Sequence, residues 1–158
     1  MPIRADQLDQ HLATTLAPLY LIHGDEPLLS LEAADAIRRK ARAAGCAERD
    51  VFVAERNFDW SRLTHAAAGM SLFSDRKLIE LRIPTGKPGA DGSETIEAYC
   101  NNLVTENVTL VSVPRLAKRD QTSAWFSALA RVGTVVEVYP VEPALLPVWI
   151  AARLPRQK

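Results

Sequence analysis

Along the 158-residue chain, short runs of consecutive apolar residues alternate with stretches whose apolar positions recur every three or four residues. Leu19-Tyr20-Leu21-Ile22-His23 is a continuous apolar run ended by Gly24, the pattern of a strand covered on both faces. Pro27 then opens a helix at the first-turn position, where its missing N–H removes no hydrogen bond. Leu29, Ala33, Ile37, Ala41 and Ala44 share one face of that helix, and Gly45 closes it. A second strand is expected over residues 50–55 through Val51, Phe52 and Val53. Asp59 caps a short helix over 60–68 that stops at Gly69. Residues 77–83 form a third strand, and a helix from Ser93 to about Leu103 turns Ile96, Tyr99, Cys100 and Leu103 inward. A strand over 108–113 is bounded by Pro114. A helix over 121–131 stacks Trp125, Phe126 and Leu129, and the β-branched run 134–139 is a fifth strand. A last helix is expected over about 143–154, irregular around Pro147. Pro84, Gly86, Pro88, Gly89 and Gly92 mark residues 84–92 as a flexible loop.

Strands alternating with helices imply parallel pairing, so the expected architecture is a three-layer αβα domain of the α/β class with a five-stranded parallel sheet. Such sheets bind ligands in the crevice at the carboxyl ends of their strands. The turn after residues 19–23 is therefore the first place to look for chemistry.

A nucleotide-binding loop there would read GxxxxGK[ST], with backbone N–H donors, a lysine for phosphate and a hydroxyl for magnesium. The chain reads His23-Gly24-Asp25-Glu26-Pro27-Leu28-Leu29-Ser30, without the second glycine, the lysine or the hydroxyl beside it. Asp25 and Glu26 face the helix start where a phosphate would sit and would repel it, and Pro27 removes one donor. Two uses remain for these carboxylates. They can cap the helix and complement its dipole, or they can hold a metal ion with Glu55 as a third oxygen ligand. The three histidines, His11, His23 and His65, have no recognisable nucleophile and carboxylate partner in sequence, and GxSxG is absent. No enzyme signature and no cofactor site is expected.

Composition narrows the partners. The chain is 47% hydrophobic and 24% charged, as in soluble globular domains. Its 19 Lys and Arg balance 19 Asp and Glu, so a domain whose main task is coating nucleic-acid phosphates is not expected. Any DNA contact must come from a local patch, and two basic clusters are available. One is Arg38, Arg39, Lys40 and Arg42 at the end of the first helix, where cations suit the dipole; the other is Arg115, Lys118 and Arg119. Each also reads as solvated surface. Cys46 and Cys100 lie far apart without metal-ligand spacing, as reduced thiols. No run approaches the ~18 apolar residues of a membrane span. Asp6 and Asp9 with no apolar stretch beside them do not fit a signal peptide, so a cytoplasmic protein is expected.

Residues 69–76, Gly-Met-Ser-Leu-Phe-Ser-Asp-Arg, depart from the rule that connections are polar. Met70, Leu72 and Phe73 stand together, rimmed by Ser71, Ser74, Asp75 and Arg76. They form either a plug of the core or a small docking patch.

Taken in order, Leu19-Tyr20-Leu21-Ile22-His23-Gly24-Asp25-Glu26-Pro27-Leu28-Leu29, Asp59-Trp60, Met70-Ser71-Leu72-Phe73-Ser74-Asp75-Arg76-Lys77-Leu78, Ala124-Trp125-Phe126 and Leu146-Pro147-Val148-Trp149-Ile150-Ala151-Ala152-Arg153 resemble the delta subunits of bacterial DNA polymerase III clamp loaders. The resemblance implies an AAA+-like first domain, over residues 1–140, with a degenerate nucleotide site. It also implies the start of a second small helical domain over 141–158. The implied role is non-catalytic: binding and opening the sliding clamp during DNA replication through Leu72 and Phe73, with Met70, Ser71 and Arg76 beside them. The implied partners are the clamp (beta subunit) and the gamma/tau and delta prime subunits. DNA would be bound only weakly or through the complex, with Arg115, Lys118 and Arg119 facing DNA or a neighbouring subunit. The alternative is a divergent nucleotide- or metal-dependent phosphotransferase using Asp25 and Glu26.

Overall fold

A computed structural model describes residues 3–24, 26–55, 57–68, 76–117 and 119–138. The elements, in order, are β1 (Ile3–Arg4), α1 (Ala5–Thr14), β2 (Leu19–Gly24), α2 (Pro27–Ala43), β3 (Cys46–Val53), α3 (Ser61–Ala68), β4 (Arg76–Arg82), α4 (Gly89–Asn101), β5 (Val108–Val113), α5 (Ala124–Val132) and β6 (Thr134–Val138). A 3-10 turn, Asp120–Thr122, precedes α5. All strand pairs are parallel, in the order β1-β6-β2-β5-β4-β3.

The sheet has six strands, not the five expected. The sixth is the two-residue β1, which pairs Ile3 with Val136 and Arg4 with Glu137 at the β6 edge. It escapes detection because two residues carry no periodicity; the pairing comes from α1, whose Leu8 and Leu12 dock on the sheet and bring the chain before them to its edge. The expected 84–92 loop is shorter than predicted, since α4 already starts at Gly89. β3 begins four residues before the expected start and is held by its pairing with β4 from Cys46 and Arg76 onward.

Alternation along the strands divides the core in two. Tyr20, Ile22, Leu78, Leu110, Val136 and Val138 face α1 and α2, which contribute Leu8, Leu12, Ala33, Ile37 and Ala41. Leu19, Leu21, Ile79, Leu81, Val111 and Val135 face α3, α4 and α5, which contribute Leu63, Ile96, Cys100, Trp125, Phe126 and Leu129. This is the three-layer arrangement expected, with every residue of β2 buried. Cys46 and Cys100 are buried free thiols. Among the described residues no helix is long and apolar enough to cross a membrane. The expected 143–154 helix, the matching segment Leu146–Arg153 and the proposed second domain lie outside the described residues.

Candidate functional site

Because all strands run the same way, the sheet has one carboxyl edge and one amino edge, and each carries a candidate site. At the carboxyl edge β2 lies between β5 and β6, while α2 carries the chain to β3 on the far side. The order of connections changes direction at β2, the position where such sheets open a binding crevice.

That crevice is occupied by the chain itself. Glu26 is the N-cap of α2, and its Oε2 accepts from the Leu29 N–H at 2.7 Å while Oε1 accepts from the Leu28 N–H at 3.3 Å. The backbone donors a phosphate would need are satisfied by an internal carboxylate. Of the two uses open to Glu26 in the sequence, capping is the one observed. Gly24 (φ +146°) sits against β6 so closely that a Cβ there would lie 1.8 Å from the Val138 carbonyl oxygen. Glu55, the third oxygen of the metal alternative, is not brought to Glu26. It lines a cavity of about 520 Å³ beyond β3, with Phe58, Trp60, Lys87 and Asp91. Strands β5 and β4 lie between β2 and β3, which separates the strand ends by about 14 Å at the usual inter-strand spacing. Asp25 lies outside the described residues. Among the described residues no three His, Cys, Asp or Glu side chains are grouped as metal ligands.

His23, next to this crevice, is 1% exposed and meets the Phe126 ring edge-on at 5.4 Å between centroids. Burial pushes its pKa from 6.5 down to about 4, so it is a neutral core side chain at physiological pH.

The amino edge carries the segment between α3 and β4. Met70, Ser71, Leu72 and Phe73 lie outside the described residues, but both flanks are fixed. On one side, Asp59 Oδ1 accepts from the Ser61 N–H at 3.0 Å to cap α3, and Leu63 anchors that helix with 1% exposure. On the other, the Arg76 guanidinium donates through Nε to the Glu106 carbonyl at 2.9 Å and through a terminal nitrogen to the Ala44 carbonyl at 2.7 Å. Arg76 thus ties the start of β4 to the loops that precede β3 and β5.

The next residues hold two charges that sequence reasoning missed as partners. Lys77 is buried, with its Nζ 3.3 Å from the Ala66 carbonyl in α3 and 3.7 Å from Asp50 Oδ2. Glu80, on the opposite face of β4, is 2% exposed. It accepts from Arg38 Nε at 2.9 Å, from an Arg38 terminal nitrogen at 2.8 Å and from Arg49, while Arg82 lies at 3.8 Å. Burial alone would raise the Glu80 carboxyl, but the hydrogen bonds and charges of Arg38 and Arg49 outweigh it and hold it below the ordinary range. The only sequence signal was a charge recurring inside an apolar strand, at Lys77, Glu80 and Arg82.

The basic clusters fare differently. Arg38 is committed to Glu80 and Asp35, which takes it out of the first cluster, whereas Arg39 and Arg42 are exposed. Arg115 and Arg119 are exposed between β5 and α5, and Lys118 lies outside the described residues.

Residues 20–139 match the protein family described as DNA polymerase III, delta subunit. The chain is 34% identical over 148 residues to the DNA polymerase III subunit delta of Escherichia coli (strain K12), covering 94% of this chain and 43% of that protein. It is 28% identical over 124 residues to the subunit of the same name from Haemophilus influenzae, covering 78% of this chain and 36% of that protein. The solved structure of the Bacillus subtilis DNA clamp loader delta protein superposes with a TM-score of 0.77 over 97% of this chain and 48% of that one. At 15% sequence identity, this is a likeness of fold. The chain spans less than half the length of each of these relatives.

Proposed function

This chain belongs to the DNA polymerase III delta-subunit family, and we propose that it is a non-catalytic clamp-loader subunit that binds and opens the sliding clamp through Leu72 and Phe73. Met70 and Ser71 extend the contact, and Arg76 serves it chiefly by fixing the base of the segment. Residues 1–140 are an AAA+-like domain with a degenerate nucleotide site, and 141–158 begin a second, helical one. The gamma/tau and delta prime subunits are its partners in the loader, and the setting is the cytoplasm. Arg115, Lys118 and Arg119 give DNA at most a weak, salt-sensitive contact, since each phosphate neutralised contributes about −0.9 to the slope of log affinity against log salt.

The observation that carries this reading is the contrast between the segment and its flanks. Leu72 and Phe73 fall in a short connection whose two ends are pinned by Leu63 and by the Arg76 guanidinium. Flanks that are already fixed need no ordering when a partner binds between them. The Glu26 cap supports the non-catalytic part, because it leaves the usual phosphate position filled.

The test is surface plasmon resonance on the sliding clamp, paired with a denaturant melt. Fully burying a Leu and a Phe contributes roughly 1.5–3 kcal/mol each, so the double change Leu72→Ala/Phe73→Ala is expected to weaken clamp binding by ~3 kcal/mol or more. Its folding stability should move by well under the 2–5 kcal/mol of a buried truncation. Intact clamp binding with a melt lowered by several kcal/mol would make the pair a core plug and end the docking reading.

A further inference from the structure

The docking reading leaves open what holds the two ends of segment 69–75 in register, and the inference here rests on that reading. Lys77 is the only buried lysine among the described residues, at 8% exposure, on the face of β4 that also carries Ile79 and Leu81 of the core. A methionine or leucine would fill that position without desolvating an ammonium. The Lys77 Nζ instead donates to the Ala66 carbonyl at 3.3 Å and lies 3.7 Å from Asp50 Oδ2 on β3. Carbonyls in the last turn of a helix lack partners within it and carry the negative end of its dipole, so a cation there is held by both effects. The Lys77 N–H donates to Asn107 Oδ1 at 3.1 Å, which fixes the strand end of the link.

We infer that Lys77 is a positioning residue for the docking segment: its buried ammonium ties the last turn of α3 to β4 and so fixes the relative placement of the two elements that flank the segment. Arg76 pins one end of the segment to the neighbouring loops, and Lys77 pins the other end to the sheet. When a binding-competent arrangement is only fractionally populated, apparent affinity falls by that fraction. Loosening the α3 end until about one molecule in ten is competent costs about tenfold.

The test compares wild type with Lys77→Met, which keeps the apolar stem and removes the charge. Clamp binding is read by surface plasmon resonance, stability by a urea melt, and local order by hydrogen exchange over residues 64–76. Removing one partner of a buried ion pair is costly when the other stays buried, but the Asp50 side chain is 40% exposed and water can take up its charge. The expected result is therefore a urea midpoint close to wild type, clamp affinity down about tenfold, and faster exchange in the last turn of α3. Unchanged affinity overturns the inference, as does an affinity loss that merely tracks a lowered midpoint. Should Lys77→Met fail to fold, Asp50→Asn removes the counter-charge from a 40% exposed side chain and leaves the core filled. It is expected to weaken clamp binding about threefold with faster exchange in the same turn, and wild-type values in both measurements overturn the inference. Leu72→Ala/Phe73→Ala on the same sensor separates the two readings. If that variant binds normally, docking itself fails; if it loses binding while Lys77→Met does not, only the positioning role fails.

Discussion

Acidification should expose the buried His23 as a stability switch of predictable size. His23 is 1% exposed against Phe126, and its pKa is pushed from 6.5 down to about 4 by burial. As pH falls through 6.5 the unfolded chain takes up a proton on this ring and the folded chain does not. Stability is therefore fully present above pH 6.5 and is lost as pH drops toward 4, the direction required when the unfolded state binds more protons. Linkage between those two values gives a loss of about 2 kcal/mol between pH 7 and pH 5, and about 3 kcal/mol by pH 4. Stopping at pH 5 keeps the Glu80 carboxyl, held below its ordinary 4.5, out of the measurement. His11 is also shifted down by burial and adds a loss of the same sign, so the informative quantity is a difference between proteins. Urea melts of wild type and His23→Leu at pH 7 and pH 5 supply it. Leucine differs from histidine in shape, which sets the offset at pH 7, but the variant's pH-dependent loss should be smaller by about 2 kcal/mol. Equal losses in the two proteins would mean that His23 protonates readily in the folded state, and the reasoning from burial would be wrong.

Two further outcomes follow from the packing. Gly24→Ala should lower stability by more than about 3 kcal/mol in a urea melt, because its Cβ would meet the Val138 carbonyl oxygen at 1.8 Å on a backbone at φ +146°; a loss below 1 kcal/mol would show that β6 moves aside easily. Glu80→Gln removes the charge that holds Arg38 and Arg49 and should cost on the order of 3 kcal/mol, whereas the double change Glu80→Met/Arg38→Met should recover most of it, since a buried pair replaced whole is often neutral. Recovery that fails would point to the arginine stems, not the charges, as the source of the loss.

The sequence was most readable where a single interaction decides the local structure. α2 starts at Pro27 and ends before Gly45 as expected, because proline fixes the first turn and Gly45, at φ +106°, takes the left-handed position beyond the cap. β2 declares itself as an apolar run, and β5 by Val108, Leu110, Val111 and Val113, because both faces of each strand are covered. The misses share a different cause. The first half of β3, Cys46-Ala47-Glu48-Arg49, has little strand character, yet its pairing with β4 makes it strand. α4 begins among glycines that look like a loop. Gly92 is there because a Cβ would lie 2.5 Å from the Trp60 ring, a contact made by a residue 32 positions earlier. At the sites the same division holds. The Glu26 cap spans three residues and was anticipated, whereas Lys77 finds Ala66 across 11 positions and Glu80 finds Arg38 across 42.

These long-range charges also explain how one β strand can serve both a stable core and a presented segment. A strand in the interior of the sheet is held in register by its neighbours, and β4 has β3 on one side and β5 on the other. Its two faces then carry opposite kinds of buried charge. Glu80 draws Arg38 of α2 and Arg49 of β3 onto one face, while Lys77 draws the last turn of α3 onto the other. Hydrophobic contacts alone would allow α3, only eight residues long, to slide or fray, because burial is non-directional. A buried ammonium must keep an acceptor within reach, and leaving that hydrogen bond unmade is expensive. Directional bonds at the amino edge thus restrict α3 and β4 to one relative arrangement, at the base from which the proposed docking segment departs, while at the carboxyl edge Glu26 spends its carboxylate on the helix it begins.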